Sequence, residues 1–337
     1  MYMIGNQYFI GGGGGRIQNV EWLRAFAVIS LVFWHSICVY TGWQGYLLNV
    51  TDAVGHSIYT KAYSIFAKIF LPDANMPLFT MISGFVYSFL QKYKSKYRNT
   101  ADFIKSKVNR LLVPYFIIGT LVVFTIADWN PISIILGDAH HLWFCAMLFW
   151  CFVGIRLYEL LPKWLKTTLI AVCITSGFVF YGYDILYIYR TLHYFPYFLM
   201  GVCIVDYLPK IQEKPATILL IVFLTVVMLL VSLLRIKYFS NLTYLAYTYL
   251  FPILLFSIVP IHKKSNKLIT LISKYSFGIY VFHEWFLWNM AHIDFIQTFA
   301  IKQQILYPLF AFVGVFLIST LLTHFSLKTK IGKYLLT

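Results

Sequence analysis

Charged side chains are scarce in this sequence. Asp, Glu, Lys and Arg make up 12% of its 337 residues, and only 12 residues are acidic, whereas soluble domains carry about 25% charged residues. This scarcity excludes a soluble globular protein and a disordered one. The basic excess gives a net charge of +15. In so apolar a chain, that excess indicates the cytosolic side of a membrane protein and not a binder of nucleic acid.

Several motifs of soluble chemistry are also missing. The five cysteines lie inside apolar stretches without ligand spacing, so they predict neither a disulfide framework nor a metal site. The sequence has no Walker A loop, no G-x-S-x-G turn and no dinucleotide-binding fingerprint. Residues 1–15 lack the basic and apolar regions of a cleavable signal. With their run Gly11–Gly15, they are expected to be a flexible leader or an expression remnant.

Long apolar runs are what the sequence does contain. Hydrophobic residues make up 60% of the chain, and the runs are continuous, which favours membrane helices over a barrel. We predict an all-α polytopic integral membrane protein in which residues 16–337 form one transmembrane domain. A span needs about 20 apolar residues. Ten stretches qualify, near 20–41, 74–91, 111–127, 142–158, 167–182, 191–208, 216–234, 241–261, 275–292 and 303–325.

Lys and Arg residues set the orientation of these spans. With the N-terminus inside, 20 of the 27 basic residues fall in cytosolic segments and four in outer segments. This bias alternates correctly along the chain. We therefore predict that both termini lie inside, and that the protein is a multi-pass protein of the cytoplasmic (inner) cell membrane.

Ionisable residues inside spans are costly and indicate function. Arg24 and His35 are eleven positions apart, so a helix places them on one face, about 16 Å apart along its axis, and Glu21 can pair with Arg24. His283 lies at a depth similar to that of His35, and Glu284 follows it directly. A paired Glu and His can form a proton-transfer site. The alternatives are a snorkelling Arg, a packed His bonded to a neighbouring helix and a structural salt bridge.

The second span leads into a basic loop. Residues 92–110 carry seven basic side chains and one acid, which suits anionic lipid headgroups and equally a phosphorylated ligand from the cytosol. Lys107 and Arg110 share a face if this segment is helical. Within the span, Ser83 and Gly84 allow close helix approach or expose backbone, and packing is the simpler interpretation.

His140, His141 and Trp143 stand at the outer start of the fourth span. They are typical of the edge of an aromatic belt, and the rim of an outward-facing pocket is the alternative. No H-E-x-x-H sequence or cysteine pair accompanies them, so we expect no metal.

Five segments together resemble one known family, the membrane-bound acyltransferases of type 3, which O-acylate bacterial polysaccharides and similar acceptors. The segments follow in order from residue 19 to about residue 285 and are NVEWLRAFAVISLVFWH, PLFTMISGF, FIKSKVNRLLVPYF, HLWF and YSFGIYVFH. One position departs from the family pattern. The family commonly has two arginines three residues apart before the third span, whereas this chain has Lys107 and Arg110. Lysine lacks the bidentate fork of arginine.

The resemblance implies transfer of an acyl group, most often acetyl from acetyl-coenzyme A, to a hydroxyl of a glycan or lipid-linked sugar. Acyl-coenzyme A, the sugar acceptor and membrane lipids are then the expected partners. The implied catalytic residues are His35, Arg24, His283 and Glu284. The implied donor-binding residues are Lys107, Arg110, Arg24 and Ser83. His35 would act as general base or carry the acyl group covalently, and the sequence leaves both mechanisms open.

Two other functions compete with this one. A transporter or flippase for an anionic glycan or lipid would use the same buried Arg and His. The sequence shows no repeat between its halves and no matched pair of broken helices to support it. A purely structural membrane subunit would not explain why buried charge is concentrated in few spans.

Overall fold

The computed structural model of the chain describes residues 17–41, 48–55, 57–70, 72–125, 134, 140–176, 184–234, 239–261 and 265–336. Within these residues it contains α-helices with short 3₁₀ and π segments, and no strand. The predicted all-α class is therefore confirmed. The leader predicted at residues 1–15 lies outside the described residues.

The α-helices are numbered in chain order. They are α1 (Gln18–Thr41), α2 (Leu48–Val54), α3 (Ile58–Phe70), α4 (Pro72–Lys94), α5 (Thr100–Lys107), α6 (Val113–Thr125), α7 (Trp143–Leu160), α8 (Lys163–Ser176), α9 (Ile188–Gln212), α10 (Pro215–Leu233), α11 (Phe239–Ile258), α12 (Lys267–Ala291), α13 (Asp294–Lys302), α14 (Leu306–Ser326) and α15 (Lys330–Leu336). A π-helical segment, Val108–Leu112, joins α5 to α6.

Each predicted span coincides with one of these helices: α1, α4, α6 to α12 and α14. Six helical stretches of the described chain are long and apolar enough to cross a membrane, and they involve α1, α5 with α6, α7, α10, α11 and α14. The other four predicted spans are not among these six stretches. Polar side chains lower the mean hydropathy of α4, α9 and α12, and the described part of α8 is short, with 14 residues. The chain is an all-α polytopic membrane protein, and the number ten stays a prediction.

Short helices occupy connections between the long ones, and one follows the last long helix. The sequence predicts no separate helices there, but α2, α3, α5, α13 and α15 have 7 to 13 residues each. They are too short to cross the hydrocarbon core.

Two glycines bring α4 and α9 into backbone contact. A Cβ atom on Gly84 would lie 2.0 Å from the carbonyl oxygen of Phe198, and a Cβ atom on Gly201 would lie 2.0 Å from that of Met81. Only a residue without a side chain fits such an approach. The packing interpretation of Gly84 is thus confirmed.

The other part of the core is built around α12, which packs against α1 and α14. Small and branched side chains fill this interface, including Ala25, Val28 and Val32 of α1 and Ile279 of α12, all of which are buried. Because α1 also packs against α4, it links the two parts of the core and carries His35 between them.

Candidate active site

His35 of α1 and His283 of α12 lie in direct contact. Nδ1 of His35 is 2.8 Å from Nε2 of His283, and the two rings are within 9° of parallel with centroids 4.8 Å apart. The side chain of His283 is fully buried, and that of His35 is 10% exposed. The sequence predicts a similar depth for the two residues but not their contact, and the structure brings them together.

The surroundings of His283 determine where the protons lie in this pair. Nδ1 of His283 is 2.7 Å from the carbonyl oxygen of Tyr280, and a carbonyl oxygen can only accept, so Nδ1 carries a proton. In the neutral ring Nε2 is then an acceptor, and it accepts from Nδ1–H of His35. The remaining nitrogen of His35, Nε2, therefore has a free lone pair. No hydrogen bond to it occurs within the described part of the chain.

Glu284 and His141 complete a buried cluster. Oε2 of Glu284 lies 2.9 Å from Nδ1 of His141 and 4.0 Å from Nδ1 of His35. Nε2 of His141 lies 2.9 Å from the carbonyl oxygen of Val281. Glu284 is 3% exposed and His141 4% exposed. The cluster thus joins α1 and α12 to the 3₁₀ segment His140–Leu142, which precedes α7.

His141 has a different place from the one its sequence position suggests. It is buried against α12, not at the edge of an aromatic belt, because the 3₁₀ segment His140–Leu142 turns it inward. The hydroxyl of Tyr280 holds this turn by donating to the backbone carbonyl of His141. In the sequence, the position of His141 at the start of an apolar span is the one feature that could have indicated this buried place. The side chain of His140 lies outside the described part of the structure.

Arg24 belongs to a second group of charges, near the N-terminal end of α1. It is eleven residues from His35 on α1, about 16 Å along the axis, and lies close enough to Glu21 and Arg110 for their charges to interact. Glu21 also accepts a hydrogen bond of 2.9 Å from the hydroxyl of Thr270 on α12. The structure therefore places Arg24 with Arg110 and apart from the histidine cluster.

Lys107 and Arg110 have unlike surroundings. Lys107 is 6% exposed, whereas Arg110 is exposed. Arg110 belongs to the π-helical segment Val108–Leu112, where each turn holds about one residue more than in an α-helix. The two side chains differ in burial, although their charges lie close enough to interact. Such π segments are frequent at functional sites.

Aromatic rings surround the ammonium group of Lys107. Its Nζ lies 4.1 Å from the ring centroid of Phe152, 5.0 Å from that of Tyr97 and 5.3 Å from that of Phe103. Cation–π attraction of this kind contributes about 0.5–2 kcal/mol. The ammonium group is therefore held against three rings, while Arg110 presents its charge at the surface.

Ser83 belongs to neither charged group. The hydroxyl of Ser83 donates to the carbonyl oxygen of Phe79 one turn earlier, at 2.9 Å, so its hydrogen bond is made within α4.

A cavity of about 410 Å³ lies between α6, α12, α14 and α15 and has a mainly apolar lining. None of the predicted site residues lines this cavity.

A family model for the acyltransferase domain called Acyl_transf_3 matches residues 17–324. This match covers most of the chain and includes both charged groups. The chain belongs to the type 3 acyltransferase family. It is therefore a membrane acyltransferase, and the resemblance seen in its five segments is confirmed. Searches of curated proteins and of solved structures found no match.

Proposed function

We propose that this membrane acyltransferase moves an acyl group, in the simplest case acetyl, from acyl-coenzyme A to a hydroxyl of a glycan or lipid-linked sugar. The donor enters from the cytosol, and the protein lies in the cytoplasmic membrane. The observation that carries this proposal is the hydrogen bond between His35 and His283. It leaves a nitrogen with a free lone pair inside an apolar bundle, which is what a general base requires.

In the proposed reaction, Nε2 of His35 takes the proton of the acceptor hydroxyl. The hydroxyl oxygen attacks the thioester carbonyl carbon, the carbon–sulfur bond breaks, and the sulfur leaves as a thiolate. The imidazolium of His35 then returns its proton to that sulfur, so the products are one ester and one free thiol. Glu284, 4.0 Å from Nδ1 of His35, stabilises the imidazolium that exists between the two proton transfers.

The cytosolic charges suit the phosphates of the donor. Arg24 and Arg110 come from different helices, and like charges repel at close range. A phosphate between them would relieve that repulsion and accept paired hydrogen bonds from each guanidinium. Lys107 lies close enough for its charge to interact with that of Arg110, and its aromatic contacts make it the weaker phosphate ligand of the three. Ser83 is a candidate lining residue of the path from these charges to His35.

Transfer of label tests this function. Purified protein in nanodiscs is incubated with radiolabelled acetyl-coenzyme A and a lipid-linked sugar or glycan extract. We expect an alkali-labile label on the acceptor, and loss of that label in His35→Ala at unchanged yield of folded protein. His292→Ala is the matched control because His292 is an exposed histidine at the end of α12.

Three results would contradict the proposal or its mechanism. Movement of a glycan or lipid across a vesicle membrane without ester formation would favour a transporter. Near-normal turnover by His35→Ala would remove His35 from the mechanism. Label bound to the protein when no acceptor is present would show a covalent acyl-imidazole step instead of direct transfer.

A further inference from the structure

The contact between His141 and Glu284 brings together two atoms that are both acceptors unless a proton lies between them. Nε2 of His141 faces the carbonyl oxygen of Val281 at 2.9 Å, so it carries a proton. In a neutral His141, Nδ1 would then be unprotonated 2.9 Å from Oε2 of Glu284. The angle of this contact is not that of a hydrogen bond, and neither atom has a hydrogen-bond partner within the described residues. Two buried acceptor atoms repel at that distance, so the pair holds a proton.

We propose that His141 is a positioning residue that carries this proton as an imidazolium, paired with an ionised Glu284. The inference rests on the proposed function of His35. The pair fixes the carboxylate 4.0 Å from Nδ1 of His35, where its negative charge favours the imidazolium that His35 becomes during transfer. Without His141, Glu284 would be a buried charge without a partner, and it would take up a proton and become neutral.

The contact between His35 and His283 fits a hydrogen bond better than two ligands of one metal ion. Ligand atoms of His35, His283 and Glu284 lie within 4.8 Å of one another, which is a grouping that can hold a metal. Two nitrogens bound to one tetrahedral zinc at 2.0–2.1 Å would be about 3.3 Å apart. The nitrogens of His35 and His283 are 2.8 Å apart, which is the length of a hydrogen bond.

Infrared spectroscopy tests the charge of Glu284 without any enzyme assay. The stretching band of a protonated carboxyl group is assigned to Glu284 by its absence from the His141→Phe/Glu284→Gln double variant. We expect no such band in the unsubstituted protein at neutral pH and a clear band in His141→Phe. A protonated Glu284 in the unsubstituted protein would overturn the proposal.

Activity gives the second measurement. We expect His141→Phe to lower kcat about tenfold or more with the donor KM unchanged, and His141→Gln to recover part of it because its amide N–H still bonds the carboxylate. His292→Phe is the control.

Equal kcat in His141→Phe and His292→Phe would overturn the proposal. An unsubstituted protein that forms no ester would instead refute the proposed function. Loss of activity with a chelator, restored by Zn²⁺, would show a metal in place of the proton and overturn it as well.

Discussion

Nδ1 of His35 donates to Nε2 of His283 across 2.8 Å, and this bond joins α1 to α12 inside the helical bundle. The bond also fixes which nitrogen of His35 is available for chemistry. Because His283 uses its other nitrogen on the carbonyl of Tyr280, the direction of the whole chain of hydrogen bonds is set by one backbone carbonyl.

Substitutions of His283 test this direction. In His283→Leu, Nδ1–H of His35 is left buried without an acceptor, which costs about 1–3 kcal/mol and favours the tautomer whose Nε2 is protonated. We expect kcat to fall about tenfold or more with the donor KM unchanged. His283→Gln keeps an acceptor oxygen in the same place and should retain more activity. The assignment fails if the Leu variant is as active as the Gln variant in the same transfer assay.

Donor binding is tested at Arg110. A hydrogen bond to a charged group contributes about 1.5–3 kcal/mol, so Arg110→Ala should weaken coenzyme A binding by about 10- to 100-fold in titration calorimetry. Lys105→Ala is the matched control because Lys105 is exposed on the neighbouring helix α5, and screening limits the effect of an exposed charge to about 1 kcal/mol or less. Equal affinity in the two variants would exclude Arg110 from the donor site.

The contact between α4 and α9 is tested by adding one methyl group. Gly84→Ala would place a Cβ atom 2.0 Å from the backbone oxygen of Phe198, and backbone cannot yield as a flexible side chain does. We expect a loss of at least about 1–3 kcal/mol in the free energy of unfolding, with a similar loss for Gly201→Ala.

The control for this experiment is Gly314→Ala. No atom lies within 4 Å of the added Cβ at Gly314, so that variant should unfold at or slightly above the temperature of the unsubstituted protein. Thermal unfolding in detergent measures all three variants. Because Gly84 and Gly201 lie at one crossing, the double variant should lose less stability than the sum of the single losses. A Gly84→Ala protein as stable as Gly314→Ala would contradict the backbone contact.

The helices and the common depth of His35 and His283 could be predicted from the sequence because both depend on local information. Continuous apolar runs give the helices, and counting residues from the basic end of each span gives the two histidines a similar depth. Their direct contact depends on how α1 packs against α12 and could not be predicted in this way. Gly84 was predicted as a packing residue because a glycine in an apolar span has few other uses.

His141 and Lys107 could not be assigned in this way because their partners come from distant parts of the chain. The role of His141 depends on how α12 packs beside the 3₁₀ segment that contains it. The rings around Lys107 include that of Phe152 in α7 and that of Tyr97 in the loop between α4 and α5. The π-helical segment that contains Arg110 could not be recognised from the local sequence either, since VNRLL is compatible with an ordinary α-helix.

Since α4 and α9 touch through their main chains at Gly84 and Gly201, no side chain separates them at that crossing, and we expect the pair to move as one rigid body. α7 packs on α9, and His141 just before α7 is bonded to Val281 and Tyr280 of α12, so these bonds tie that body to α12. Any motion that admits a bulky sugar between these parts would therefore break these bonds and lengthen the contact from His141 to Glu284. A pair of spectroscopic labels placed on α7 and α12 would follow that opening during turnover.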